Sequence, residues 1–246
     1  TSGLQGSNSK QFDQFLLNSQ IDINSLKLAT EAGIKRIVFV GTASSYQEHI
    51  GFISETELEW SKSPNISHFG VGWSKRVTEQ FCQFLHVEKN IEIAILRLAN
   101  IYGPNAKFDP KISNFIPALI RKANDRLDPF PVWGSPDIKR DIIYVDDFAS
   151  AVIRCLLKIE LGFNTFNIGS GKVVKVREIV DLILKLSNHE PKKIEFGSGP
   201  TSSLSFRALN CSKAKNELGW KNIISHQEGL KHTINWWTEN KEKWKK

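Results

Sequence analysis

Lys75, in "GVGWSKRVTEQ" (residues 70–80), and Thr42, directly after "RIVFVG" (residues 36–41), are of types that do chemistry together. An ammonium and a hydroxyl that converge on one oxygen can both donate hydrogen bonds to it. Val71, one helical turn before Lys75, brings neither donor nor acceptor. Taken singly, each residue has a plainer use: a helical lysine is ordinarily solvated, and a threonine at a strand end is ordinarily a turn or cap hydroxyl. Arg97 lies in an apolar run, where a guanidinium demands a partner, so it is expected to pair with an acid and anchor the sheet. Asp146 and Asp147 are expected to cap a helix rather than act as a catalytic pair. Asn100 and Gly103 read as turn residues.

The elements that would position these groups follow a regular order. Residues 19–32 predict a helix with an apolar stripe (Ile23, Leu26, Leu28, Ala29), and Gly33 stops it. "RIVFVG" then reads as a strand covered on both faces. The pattern recurs as a helix at 73–88 and a strand at 91–98. A helix at 114–123 follows, with Pro117 tolerable only in its first turn. A strand at 141–145, a helix to about Leu157 and a strand at 163–169 continue it, and amphipathic helices are expected at 175–187 and 226–239. Between Gly103 and Arg140 the chain is rich in Pro, Asp and Asn, and beyond about residue 171 the alternation fades. This grammar predicts an α/β fold with a mostly parallel sheet and a smaller domain built from separate insertions.

Composition narrows the classes. With 246 residues, 40 % of them apolar, the chain can bury a substantial core. No stretch approaches the roughly 18 apolar residues of a membrane span, so no membrane partner is expected. "TSGLQGSNSK" has neither a signal segment nor an initiating methionine, and Met is absent throughout, so the chain is expected to follow a preceding segment. Cys82, Cys155 and Cys211 match no metal-ligand or redox spacing; no metal is expected, and buried free thiols point to a reducing, cytoplasmic setting. The net charge of +7 is scattered, apart from "NKEKWKK" at 240–246. It suits an anionic substrate such as a nucleotide diphosphate better than nucleic acid, for which no signature is present.

Six segments in order resemble one family. "NSQIDINSLKLATEAGIKRIVFVGTASSY" (18–46), "VGWSKRVTE" (71–79), "RLANIYGP" (97–104), "WGSPDIKRDIIYVDDFASA" (133–151), "FNIGSG" (166–171) and "KAKNELGW" (213–220) resemble the extended short-chain dehydrogenase/reductases, specifically the NAD(P)-dependent nucleotide-sugar epimerases, dehydratases and reductases. "NFIPALIRKA" before "PVWGSPDIKRD" is similar to the GDP-fucose synthase-like members. The resemblance implies a Rossmann-type domain from residues 1–103 and 140–171, and a substrate domain mainly from 104–139 and 172–246. It also implies NAD or NADP as cofactor, a nucleotide-diphosphate sugar as substrate and a homodimer formed through two helices.

On that resemblance, Thr42 and Lys75 are the catalytic pair and Val71 stands where the family has its tyrosine, whose phenol the lysine normally acidifies. Asn18, Val40, Gly41, Lys75, Leu98, Asn100 and Ile101 are implied at the cofactor. Ser44, Asn100, Asn114, Lys122, Trp133 and Arg140 are implied at the substrate, with Arg140 beside the diphosphate, where a guanidinium binds phosphate oxygens bidentately. The chain also departs from the pattern. Ser44 and Asn114 replace a Cys/His pair, which disfavours double epimerisation, because neither side chain exchanges protons near neutral pH. The Gly-x-x-Gly-x-x-Gly turn of the family is not in the sequence, and Gly3 and Gly6 do not follow a predicted strand. Without a phenol the chain is read as an enzyme of this class, or as an impaired homologue that binds the same ligands, or as a partner subunit. Tyr46, His68 and water are the alternative proton relays.

Overall fold

The computed structural model describes residues 11–158, 160–197 and 206–244, so Gly3 and Gly6 lie outside it. In chain order the elements are α1 (Gln11–Glu31), β1 (Arg36–Val40), β2 (Gly51–Ile53), α2 (Phe69–Lys89), β3 (Glu92–Leu98), β4 (Asn100–Tyr102) and α3 (Phe115–Asn124). They continue with β5 (Phe130–Val132), β6 (Lys139–Arg140), β7 (Ile142–Tyr144), α4 (Val145–Leu157), β8 (Phe163–Ile168), β9 (Val174–Lys175) and α5 (Val176–Leu186). Strands β10 (Ile194–Phe196) and β11 (Phe206–Leu209) precede α6 (Ser212–Leu218) and α7 (His226–Asn240).

Strands β1, β3 and β8 form a parallel sheet with β3 in the middle, Ile37 opposite Ile93 and Leu96 opposite Phe166. The period of two along β3 divides its residues between two cores. Ile93 and Ile95 pack with Leu26, Phe39, Cys82 and Leu85 under α1 and α2, whereas Ala94 and Leu96 pack with Ala151, Cys155 and Phe166 on the α4 side. Both faces of the strand are therefore buried, as its unbroken apolar run predicts. Gly33 ends α1 at φ 76°, and Asn90 ends α2 at φ 51°, the left-handed caps that close such helices.

A second core lies beyond β4 and β7. Tyr102 and Tyr144 meet Ile116 and Ile120 of α3, Phe130 of β5, Ile179 and Ile183 of α5, and Leu230 and Ile234 of α7. Phe108 stacks on Trp237 at 4.2 Å between centroids. Pro117 falls in the first turn of α3, where its missing N–H costs no helical bond. Short pairings complete the sheets: β4 with β7, β5 with β10, and the four-stranded order β2-β11-β6-β9, in which only β6–β9 is antiparallel.

The expected helix cap and the expected burial of all three thiols are corrected. Neither Asp146 nor Asp147 caps α4: Tyr144 occupies the cap position without a side-chain bond. Asp147 instead accepts from the backbone N–H groups of Ile223 and Ile224, both at 3.0 Å, and so clips the 220–224 loop to the helix. Ala214, Leu218 and Trp220 also return to the sheet core, with the Trp220 indole donating to the Asp147 carbonyl at 2.9 Å. Among the thiols, Cys82 and Cys155 are buried and Cys211 is partly exposed, all three uncrosslinked.

Candidate functional site

The site begins where β1 ends. Gly41 donates to the Leu96 carbonyl at 2.9 Å, and a Cβ there would stand 3.3 Å from that same oxygen, so the small residue lets the chain cross close to β3. Thr42 follows as the cap of a single turn at 43–45, its Oγ1 accepting from the Ser44 N–H at 3.2 Å. That use occupies a lone pair and leaves the hydroxyl hydrogen available to donate.

Helix α2 is fixed against this turn by two contacts. A Cβ on Gly72 would lie 2.5 Å from the Ser44 carbonyl, which explains glycine there. Arg76 is buried and donates from Nε to the Ser45 carbonyl at 2.6 Å and from Nη1 to the carbonyl of Lys62, while its guanidinium lies over the Trp73 ring at 5.1 Å. With α2 held so, Lys75 reaches across β1. Its Nζ stands 4.7 Å from the Phe39 ring centroid and donates to Asp22 Oδ2 of α1 at 2.7 Å, where Thr78 Oγ1 also donates at 3.3 Å.

Lys75, Asp22 and Ser25 line a cleft of about 390 Å³ whose wall is Ile37–Val40. That is the lower end of small-molecule sites, the size of a nucleoside fragment rather than a whole dinucleotide. Lys75 and Val40 share the cleft, and Gly41 and Thr42 follow Val40 directly; Asn18 is one turn before Asp22 on α1. Val71 is buried, and its carbonyl accepts from Ser74 Oγ at 2.9 Å. Ser44 is buried in the turn.

Behind the turn is a closed polar network. Arg97 donates from Nη2 to Glu79 Oε2 at 2.7 Å, from Nε to both carboxylate oxygens, and from Nη1 to the Tyr46 hydroxyl and the Glu55 carbonyl, each at 3.0 Å. Tyr46 passes its own hydrogen to Asn167 Oδ1 at 2.7 Å. Burial pushes the Tyr46 phenol up to about 12. Burial opposes the Arg97 charge, yet the bonds from Glu79 more than offset it and hold the guanidinium above its ordinary value. Arg97 is thus an anchor of the sheet, and Tyr46 is a scaffold residue rather than a substitute proton relay. His68 stands just ahead of α2, a full turn before Val71.

The expected substrate residues sit on the second core. Lys122 donates to the Pro131 carbonyl at 2.8 Å and places its ammonium 5.5 Å from the Trp133 ring centroid, and burial followed by Arg121 lowers its pKa. Trp133 keeps an exposed face. Arg140 is on β6, in register with Arg207 of β11, and donates to the Lys139 carbonyl at 3.2 Å. Asn114 is exposed at the start of α3 and makes no capping bond. Asn100 donates to the Asp141 carbonyl at 2.9 Å, so its side-chain amide is tied to the chain before β7; Leu98 and Ile101 pack into the sheet core. The structure therefore brings Lys75 and Val40 to one cleft, with Gly41 and Thr42 next along the chain, and Lys122 with Trp133 elsewhere. Among the described residues, no hydrogen bond links the two groups.

Sequence reasoning missed Asp22, Ser25, Glu79, Arg76 and Asp141. For Glu79 a signal existed: it lies one turn after Lys75, and Arg97 requires an acid. Asp141, buried with its carboxylate accepting from Ser170 N and Oγ at 2.8 Å, is pushed up by burial, and a Cβ on Gly169 would collide with it at 2.5 Å. No local pattern marks such a long-range clip.

Comparisons with known proteins give the chain relatives. The profile of the NAD dependent epimerase/dehydratase family matches residues 1–169. GDP-L-fucose synthase 1 of Arabidopsis thaliana is 28% identical over 244 residues, covering 97% of this chain and 74% of that protein. UDP-glucuronate 4-epimerase of Thermodesulfobacterium geofontis is 28% identical over 220 residues, covering 89% of this chain and 64% of that protein. In structure, the epimerase Mth375 of Methanothermobacter thermautotrophicus aligns with a TM-score of 0.86 at 22% identity, covering 100% of this chain and 71% of that one, which supports the fold.

Proposed function

The chain belongs to the NAD dependent epimerase/dehydratase family, and we propose that it binds NAD or NADP and transfers hydride at a ring carbon of a nucleotide-linked sugar. The observation that supports this reading is Lys75 reaching over Phe39 of β1 into a cleft that Val40 also lines and that is sized for a nucleoside fragment. The fit to the cofactor rests on that cleft: an apolar wall of Ile37–Val40 faces an ammonium, a carboxylate and a hydroxyl.

When bound, the nicotinamide supplies the hydride acceptor or donor. Lys75, Val40, Gly41, Asn18 and Asn100 hold the cofactor, and Leu98 and Ile101 contribute backbone only, since their side chains pack in the core. Thr42 donates its hydroxyl hydrogen to the reacting sugar oxygen. Val71 moves no proton, and the Tyr46 phenol is committed to Asn167 and Arg97, so His68 or water must serve. General acid–base help is worth roughly 10²- to 10⁴-fold, and turnover is correspondingly slow.

Lys122, Trp133, Arg140, Ser44 and Asn114 take the nucleotide diphosphate sugar, in keeping with relatives named for GDP- and UDP-linked sugars. In this reading residues 104–139 and 172–246 mainly form the substrate domain against a Rossmann part from 1–103 and 140–171. A homodimer through α1 and α2 accounts for the apolar residues these helices expose, including Leu17, Ile21, Val77 and Phe84. No described helix is long and apolar enough to cross a membrane, and the uncrosslinked cysteines fit the cytoplasm.

The test is incubation of the protein with NAD(H) or NADP(H) and a panel of nucleotide-linked sugars. Product formation that disappears in Lys75→Ala is expected. Binding of neither cofactor nor sugar nucleotide refutes the reading.

A further inference from the structure

Arg76 follows Lys75 on α2 and is only 1% exposed, yet its hydrogen-bond partners are all neutral. Its Nε donates to the Ser45 carbonyl at 2.6 Å, and its Nη1 to the carbonyls of Lys62 and, at 3.5 Å, Trp60. The rings of Trp73 and Trp60 lie 5.1 and 5.9 Å from the guanidinium carbon. The nearby Glu79 does not neutralise it, because both carboxylate oxygens are taken by Arg97. Burial lowers the Arg76 pKa, with Glu79 opposing and Arg97 adding to the effect.

Two buried polar atoms here make no hydrogen bond among the described residues: Arg76 Nη2 and Ser45 Oγ. They belong to groups that already meet. In the planar guanidinium fork, Nη2 points to the same side as the Nε–H, and that N–H is directed at Ser45. The uncommitted nitrogen therefore faces the residue whose hydroxyl is also uncommitted.

A buried charge without a counter-charge is costly, and so is a buried donor without an acceptor. One kind of ligand relieves both. A water molecule would accept from the two donors but leave the positive charge as it is. A phosphate would bring more oxygens than these two donors can serve, at a place sealed from solvent. A small monovalent anion accepts from the N–H and the O–H together and neutralises the guanidinium.

We propose that Arg76 Nη2 and Ser45 Oγ hold a small monovalent anion of the halide class, which ties α2 to the turn that carries Thr42. Ser45 closes the turn that Thr42 caps, and Arg76 adjoins Lys75, so the anion fixes the two functional segments relative to each other. Neither residue lines the cleft assigned to the cofactor, and the site is independent of what that cleft binds.

The test is urea unfolding of the full chain, with chloride exchanged for gluconate at constant ionic strength so that screening does not change. An anion bound only by the folded state raises stability with the logarithm of its concentration above its dissociation constant. The unfolding midpoint is therefore expected to climb with chloride, and bromide to reproduce the rise. Ser45→Ala removes one donor and is expected to weaken the apparent chloride affinity roughly tenfold or more, and Arg76→Gln to abolish the dependence. Equal midpoints in chloride and gluconate would mean that no anion binds there, and the proposal falls. A chloride dependence that survives both substitutions unchanged puts the anion elsewhere and overturns it as well. Should Arg76→Gln fail to fold by circular dichroism, crystals of the wild type grown in bromide decide: an anomalous peak within hydrogen-bond reach of Arg76 Nη2 upholds the site, and its absence there refutes it.

Discussion

Around Arg97 all three guanidinium nitrogens and both Glu79 oxygens have partners inside the fold, while around Lys75 a carboxylate oxygen and a serine hydroxyl face a cleft. The two clusters hang from the same helix, since Lys75 and Glu79 are one turn apart on α2, yet they solve opposite problems. A buried charge whose every nitrogen is already engaged takes up a ligand only at the expense of those bonds. An ion pair at a cleft can exchange its remaining valences for those of a ligand at little cost. The closed cluster fixes where the strand ends stand, and the open one is where recognition is free to occur.

The largest expected effect restores what the open cluster lacks. Val71→Tyr puts a phenol one turn from Lys75, and turnover of a nucleotide-linked sugar with NAD(P)(H) is expected to rise roughly 10²- to 10⁴-fold in steady-state assays. An unchanged rate with the variant folded would remove Lys75 from the reaction site. The closed cluster is broken by Glu79→Ala, which strands the buried Arg97 charge. A loss of about 3–5 kcal/mol is expected from urea unfolding, and a loss below about 1 kcal/mol would show that the network is not closed at all.

Tyr46→Phe makes a smaller cut. It removes a donor to Asn167 and an acceptor for Arg97, for about 1–3 kcal/mol. The same phenol gives a pH signature with a definite sign. Its folded pKa is pushed up to about 12 from an ordinary 10.0 by burial, so the folded chain keeps a proton that the unfolded chain loses. Its contribution is complete below pH 10 and is lost as pH climbs from 10 towards 12. The alkaline slope of stability should be shallower in the variant, although Tyr102, also raised by burial, leaves part of it.

Legibility in the sequence divides along the same line. Strands β1, β3 and β8 and the helices between them follow from period and apolar runs, because local pattern and burial agree there. Arg97 could be assigned an anchoring role from its neighbours alone, and the structure supplies Glu79 as its acid. Asp22 could not be found this way: an aspartate on a mostly polar helix looks solvated, and its meaning comes from Lys75, 53 positions away. Asp147 misled because a carboxylate in a first turn is a good cap by local rules, whereas the 223–224 backbone, distant in sequence, offers it two N–H groups. Locally encoded features were readable; contacts that depend on which helix crosses which strand were not.

The finest discrimination comes from Lys75→Met, which keeps the length of the side chain and its packing on Phe39 while deleting the ammonium. If the Lys75–Asp22 pair belonged to the scaffold, leaving Asp22 without its cation would cost about 3–5 kcal/mol, as for Glu79 and Arg97. Because Asp22 borders a cleft, water entering it can solvate the carboxylate, and Thr78 still donates to Oδ2. The expected change in urea stability is therefore about 1 kcal/mol or less, alongside a fall of roughly tenfold in NADH affinity for the lost charged bond. A large loss of stability would place this pair with the closed cluster, and the contrast between the two regions would then reduce to one of exposure.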